Sequence, residues 1–181
     1  RGSALVLTTA ICRNGVEFEG NVYVPRWTAS DDIPVAYIYK AVADAGWTAS
    51  TLADATFKYL CVADNKLWGG NLGTAGTNVH HVKSSVDGTN TGSWSTAIPV
   101  GDSAYPITAL VNYEDMLLIC KGDGLWTLTA SADVRLLYSM KSQANADNFK
   151  GAASWDSGQR VILPLATGGM LELYRDVVSD I

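Results

Sequence analysis

Trp94-Ser-Thr-Ala-Ile-Pro-Val-Gly-Asp-Ser-Ala-Tyr-Pro-Ile-Thr-Ala-Leu-Val-Asn-Tyr-Glu-Asp-Met-Leu-Leu-Ile-Cys-Lys-Gly-Asp-Gly-Leu-Trp126 is the stretch whose reading decides the fold. Trp94 to Val100 reads as a strand that ends in a Gly/Pro turn. Ile107 to Tyr113 and Met116 to Cys120 are apolar runs rich in β-formers, joined by Glu114-Asp115. Gly122-Asp123-Gly124 then turns the chain into Leu125 to Thr129. Such a succession predicts an antiparallel meander.

Copies of the pattern lie on both sides. Val22-Tyr23, Leu67-Trp68, Met116-Leu117 and Val161-Ile162 each follow a turn, read as Gly20-Asn21, Asp64-Asn65, Glu114-Asp115 and Asp156-Ser157-Gly158. Their spacings are 45, 49 and 45 residues. That period matches one four-stranded propeller blade. A β-sandwich also uses short strands but has no reason to repeat a hairpin at a fixed interval. The near-continuous apolar runs Leu117-Leu118-Ile119-Cys120 and Val161-Ile162-Leu163 suit strands covered on both faces. The expected fold is therefore all-β, a β-propeller of four-stranded antiparallel blades over residues 1–181, with units near 12–50, 57–100, 106–140 and 151–181. Residues 4–11 read as a strand of a preceding or closing blade, and the last unit as three strands with a fourth interrupted. The reading favours a piece of a larger propeller over a ring closed within this chain.

Composition agrees. Of 181 residues, 48% are apolar and only 17% charged, with 17 Gly and 6 Trp. Helical surfaces would bring more Glu, Lys and Arg. A net charge of −5 argues against nucleic acid and anionic membrane as partners. No run of 18 apolar residues occurs, so no membrane insertion is expected. Cys12, Cys61 and Cys120 lack zinc-ligand spacing and read as buried free thiols.

The residues Asp87-Gly88, Gly92-Ser93-Trp94-Ser95, Ile98-Pro99-Val100-Gly101-Asp102, Pro106-Ile107-Thr108-Ala109-Leu110 and Lys121-Gly122-Asp123-Gly124-Leu125-Trp126 together resemble the blade repeat of propeller-like proteins of tailed bacteriophages. The resemblance is clearest over residues 57–175. It implies a virion or tail-associated component, virion or extracellular in location, whose partners are other protein subunits of an assembly. It supplies no catalytic residue.

The chemistry-bearing residues point the same way. His80 and His81 are neighbours on an expected strand, so their side chains should face opposite ways and could not chelate one metal. Asp64, Asp87, Asp115, Asp123 and Asp156 could serve as glycosidase carboxylates or calcium ligands. Each also sits in a turn, where Asp bonds its own backbone, and that reading is preferred. Ser154-Trp155-Asp156-Ser157-Gly158 resembles the Asp-box turn of sialidase-like propellers but lacks its downstream Thr and aromatic. No catalytic residue, cofactor or metal site is expected.

The leading reading is a non-enzymatic structural or interaction propeller. Its rival is a carbohydrate-binding propeller or glycosidase fragment that contacts a cell-surface glycan through loop residues Asn71, Asp87, Asn90, Trp94 and Asp123. The rival needs Trp or Tyr rings exposed beside convergent polar groups.

Overall fold

A computed structural model describes residues 10–12, 15–28, 34–44, 46–52, 56–72, 78–129 and 132–181, with backbone alone at 10–12 and 34. The first sheet holds β1 (Ala10–Cys12), β2 (Val16–Phe18), β3 (Asn21–Thr28), β4 (Pro34–Ala41) and β5 (Thr48–Ala49). β1 and β2 both pair with β3, at Cys12↔Arg26 and Val16↔Tyr23, so together they fill one strand position at one edge. The second sheet orders β6 (Phe57–Ala63), β7 (Lys66–Leu72), β8 (His81–Ser85) and β9 (Ile98–Pro99). The third orders β10 (Ile107–Tyr113), β11 (Met116–Lys121), β12 (Gly124–Leu128) and β13 (Val134–Ser139). The fourth orders β14 (Ala153–Trp155), β15 (Arg160–Pro164), β16 (Met170–Tyr174) and β17 (Val177–Asp180). Every pairing is antiparallel and joins sequence neighbours, apart from β1 with β3.

Turn chemistry explains the meanders. Glu19-Gly20, Asp64-Asn65 and Glu114-Asp115 close two-residue hairpins with both central φ positive, from +48° to +72°. That mirror-image turn matches the right-handed twist of its flanking strands. The first of these turns sits one residue earlier than Gly20-Asn21, because Asn21 already pairs with Phe18.

Three apolar cores separate the four sheets. Phe18, Tyr23, Tyr37, Phe57, Leu60, Leu67 and Leu72 fill the space between the first and second. Cys61, Trp68, Val82, Val100, Leu117 and Ile119 fill the next. Val111, Leu118, Cys120, Leu125, Val161 and Leu173 join the third and fourth. Side chains along a strand alternate between its faces. On β11, Leu117 and Ile119 therefore look back to the second sheet while Leu118 and Cys120 look forward to the fourth. Both faces of β11 are apolar because both are covered. Gly69 on β7 leaves room for the Phe57 ring, whose atoms would stand 2.5 Å from an added Cβ.

Among the described residues no core joins the first sheet to the fourth, and the sheets do not close into a ring. Pro25, Lys58, Leu110 and Gly151, one from each successive unit or its approach, line a single small cavity of about 60 Å³.

Some expectations change. Ala10 and Ile11 belong to the first sheet, where they pair with Thr28 and Trp27, not to another blade; residues 4–9 lie outside the described ones. The fourth sheet is complete, since Val177–Asp180 pairs with β16. The strand read at Trp94 to Val100 shrinks to Ile98–Pro99, because Trp94 turns inward onto Phe57. Residues 141–150 are mostly polar in sequence, yet Asn148 and Phe149 are buried there. Phe149 fills the third core, and Asn148 donates to Gly122 O and Gln143 O and accepts from Ala166 N. No helix among the described residues is long and apolar enough to cross a membrane.

Candidate functional site

The crossover from the second to the third sheet, residues 100–106, is anchored by both of those sheets. Val100 N donates to His80 O and Ile107 N to Val79 O, both at 2.9 Å. From the second sheet, Asn71 Nδ2 donates to Ile107 O at 2.9 Å. From the third, Lys121 reaches up with no exposed surface. Its Nζ donates to Val100 O at 2.7 Å and to Asp102 O at 2.6 Å, and stands 3.8 Å from Asp123 Oδ1. Burial lowers the Lys121 pKa, while Asp123 and Asp102 pull it back up. Gly101 carries φ +55° and packs on Trp126, whose ring atoms an added Cβ would meet at 2.5 Å. Only glycine satisfies both the angle and the contact.

These contacts frame a cavity of about 480 Å³. Its lining comes from the crossover (Gly101, Asp102 and Tyr105) and from the third sheet and the segment after it, including Asp123, Trp126 and Leu136. Asp123 is only 7% exposed. Its Oδ1 and the Trp126 Nε1 are buried without a hydrogen-bond partner. A cavity of this size, mixed aromatic and polar, falls within the ordinary range for small-molecule sites.

The sequence-derived site residues separate into two groups. Asp87, Asn90 and Trp94 share one loop that seals the first sheet against the second. Asp87 Oδ1 accepts from Thr89 N and Oδ2 from Thr91 Oγ1, and the Thr89 bonds hold its carboxyl below the usual range. Asn90 Oδ1 accepts from Thr51 N, and Asn90 N donates to Tyr39 Oη. Trp94 Nε1 donates to Tyr37 Oη, and its ring lies 4.3 Å from Phe57. Each of the three thus has a polar group engaged within the chain. Asn71 is buried in β7 rather than in an open loop, and its amide serves the crossover. Asp123 alone lines an open cavity. Nothing in the sequence singled out its neighbours Lys121 and Tyr105, although a lysine inside an otherwise apolar strand was an available signal.

The tryptophans also divide. Trp27 and Trp68 are buried, Trp94 and Trp126 partly so, and Trp47 and Trp155 are exposed. Cys61 and Cys120 are free and buried, and burial pushes the Cys61 thiol up to about 12. Among the described residues no group of three His, Cys, Asp or Glu could hold a metal ion.

His80 departs from the strand expectation. It precedes β8 in a turn, so its ring does not point away from that of His81; the centroids are 4.1 Å apart. Burial lowers both pKa values, with His81 and Lys121 lowering His80 further and Asp102 opposing. The unfolded chain, at about 6.5, then binds protons that the folded pair refuses. Stability is full above that value and falls as pH drops through it. Urea melts between pH 8 and 5 should show this slope, and His80→Gln/His81→Gln should flatten it. An unchanged slope in the double variant would refute the assignment.

The fold defines a class, an all-β protein of face-stacked four-stranded antiparallel sheets. No family model matches the chain, and no curated protein matches it.

Proposed function

We infer that the protein is a non-enzymatic interaction module of the β-propeller type, whose end sheets stack against those of a second copy. One observation carries this reading. The third residue of the strand that follows the first hairpin turn of a sheet faces the next sheet: Tyr23 on β3, Trp68 on β7 and Leu118 on β11. In the fourth sheet that position is Ile162, which faces away from the third core. Met170 and Trp155, each 48% exposed, and Val177, 63% exposed, share the face. An ion pair between Arg160 and Glu172, at 2.9 Å, crosses the same face, and no core among the described residues covers it. Val22 and Val24 lie on the side of β3 opposite Tyr23, with Ile38, only 4% exposed, paired with Val24. The two outer faces are thus the halves of an interface already used three times inside the chain, which is why a second copy is the fitting occupant. Such head-to-tail contacts are heterologous, so they close into rings or extend as filaments. The small cavity shared by all four units supports ring-like convergence. The phage-like motif of residues 87–126 supports a setting as a tailed-phage virion or tail component among other subunits.

Light scattering during size exclusion tests the stacking. Dimers or larger species are expected to rise with concentration. Ile162→Asp and, at the more exposed position, Met170→Glu should each return them to folded monomers. A wild-type chain that stays monomeric, or variants that assemble equally well, would overturn the reading.

A further inference from the structure

We propose that His80 and His81 form an acid-released latch that holds the edge strand β9 and the 100–106 crossover on the second sheet. The attachment passes through three consecutive residues. Val79 O accepts from Ile107 N, His80 O accepts from Val100 N, and His81 pairs with Pro99. Asn71 of β7 adds a side-chain bond to Ile107 O. Two of the three residues whose backbone holds the crossover therefore carry the imidazoles. His80 is only 9% exposed, and its charged neighbours are Lys121 of β11 and Asp102 of the crossover itself. The crossover and the third sheet thus cover its ring, and hydrating that ring means lifting the crossover away from the second sheet.

The closed pair is a poor place for a proton. The ring centroids are 4.1 Å apart, so two imidazolium charges would repel at close range. An imidazolium donates from both nitrogens, yet Nδ1 of each ring is buried with no hydrogen-bond partner. Lys121 brings a third positive group to His80. Against these stands Asp102, which is exposed and whose Oδ1 already accepts from Ala104 N. Asp123 faces Lys121, at 3.8 Å. The adjoining strand residues, Asn71 and Leu72 of β7 and Ile98 and Pro99 of β9, carry no titratable side chain. Once the latch opens, both rings meet water and titrate near the ordinary value of about 6.5. Protons then bind the open form better than the closed one, and acid draws the equilibrium toward it. Lys121 still holds Val100 O and Asp102 O, so the crossover stays with the third sheet and parts from the second.

The test is amide exchange of the full chain, read residue by residue and corrected for the intrinsic rate at each pH. Between about pH 7.5 and 5.5, Val100 and Ile107 should lose protection about tenfold for one proton taken up on opening and about a hundredfold for two. Their exchange should hardly vary with dilute urea, because local opening exposes little surface, and Leu118 and Ile119 in β11 should stay better protected. His80→Gln/His81→Gln should remove the pH dependence. Should that variant fail to fold, the imidazole resonances of the wild type decide instead, with both midpoints expected below about 6.5. Ile162→Asp should behave like the wild type, because the latch lies within one chain and does not depend on end-to-end stacking. Protection at Val100 and Ile107 that ignores pH, or that shares the rate and urea slope of Leu118, would overturn the proposal. So would either imidazole midpoint at or above the ordinary value.

Discussion

Lys121→Ala is expected to destabilise the protein by about 3–5 kcal/mol, the cost typical of removing one partner of a buried charge pair. The side chain is fully buried, and its ammonium ties the third sheet to the carbonyls of Val100 and Asp102. Its loss strands two carbonyl oxygens and leaves the Asp123 carboxylate buried without its cation. It also opens a void beneath Trp126. Lys121→Met preserves much of the volume, so it isolates the electrostatic part. If the polar contacts dominate, Lys121→Met should be nearly as unstable as Lys121→Ala. Lys121→Met/Asp123→Asn should then recover part of the loss, because the uncompensated charge is gone. Urea unfolding of the three proteins decides it. A methionine variant as stable as wild type would show that Lys121 acts by packing alone.

Phe57→Ala is expected to cost a similar amount, about 3–5 kcal/mol, but to act locally. The ring has no exposed surface, lies 6.2 Å from Tyr37 and 4.3 Å from Trp94, and rests over Gly69. It belongs to the core between the first and second sheets and to neither of the others. Where each sheet contacts only its neighbours, stability is approximately a sum of neighbour terms. Amide exchange should therefore accelerate most in β3, β4 and β6, and least in β15 and β16. A uniform acceleration across all four sheets would show instead that the stack unfolds as one unit.

Much of the fold was legible in the sequence. The apolar runs and their turns place β6, β7, β10, β11, β15 and β16 within a residue or so, and the period of about 45 separates the four sheets. Strand character depends on alternation at a spacing of two, and hairpins depend on the residues at two central positions; both are local. The Asp64-Asn65 turn shows the local rule working, with φ of +49° and +51°. Failures occur where distant contacts override local preference. Trp94 had strand character but was drawn into an aromatic cluster with Tyr37, 57 positions earlier. His80 was read with strand geometry and lies in a turn instead.

The candidate site was far less legible. Asp123 was named, but for being an aspartate in a Gly-rich turn, alongside Asp87, which proves to be an internal turn stabiliser. Nothing local distinguishes the two. Their difference lies in which neighbours the fold delivers: threonines of the same loop for Asp87, and for Asp123 a buried lysine and an open cavity.

By itself, the sequence determined the all-β class, the strand-turn rhythm and the equivalence of the four units, because backbone alternation and turn conformation are set by residues a few positions apart. Only the tertiary structure decided that Lys121 grips the crossover 19 to 21 positions before it. It also decided that Asn71 and Asn148 bond backbone outside their own segments, and that Met170, Trp155 and Val177 of the last sheet are left exposed. A polar side chain takes as its partner whatever carbonyl the packed chain brings within reach, and that distance is fixed by stacking.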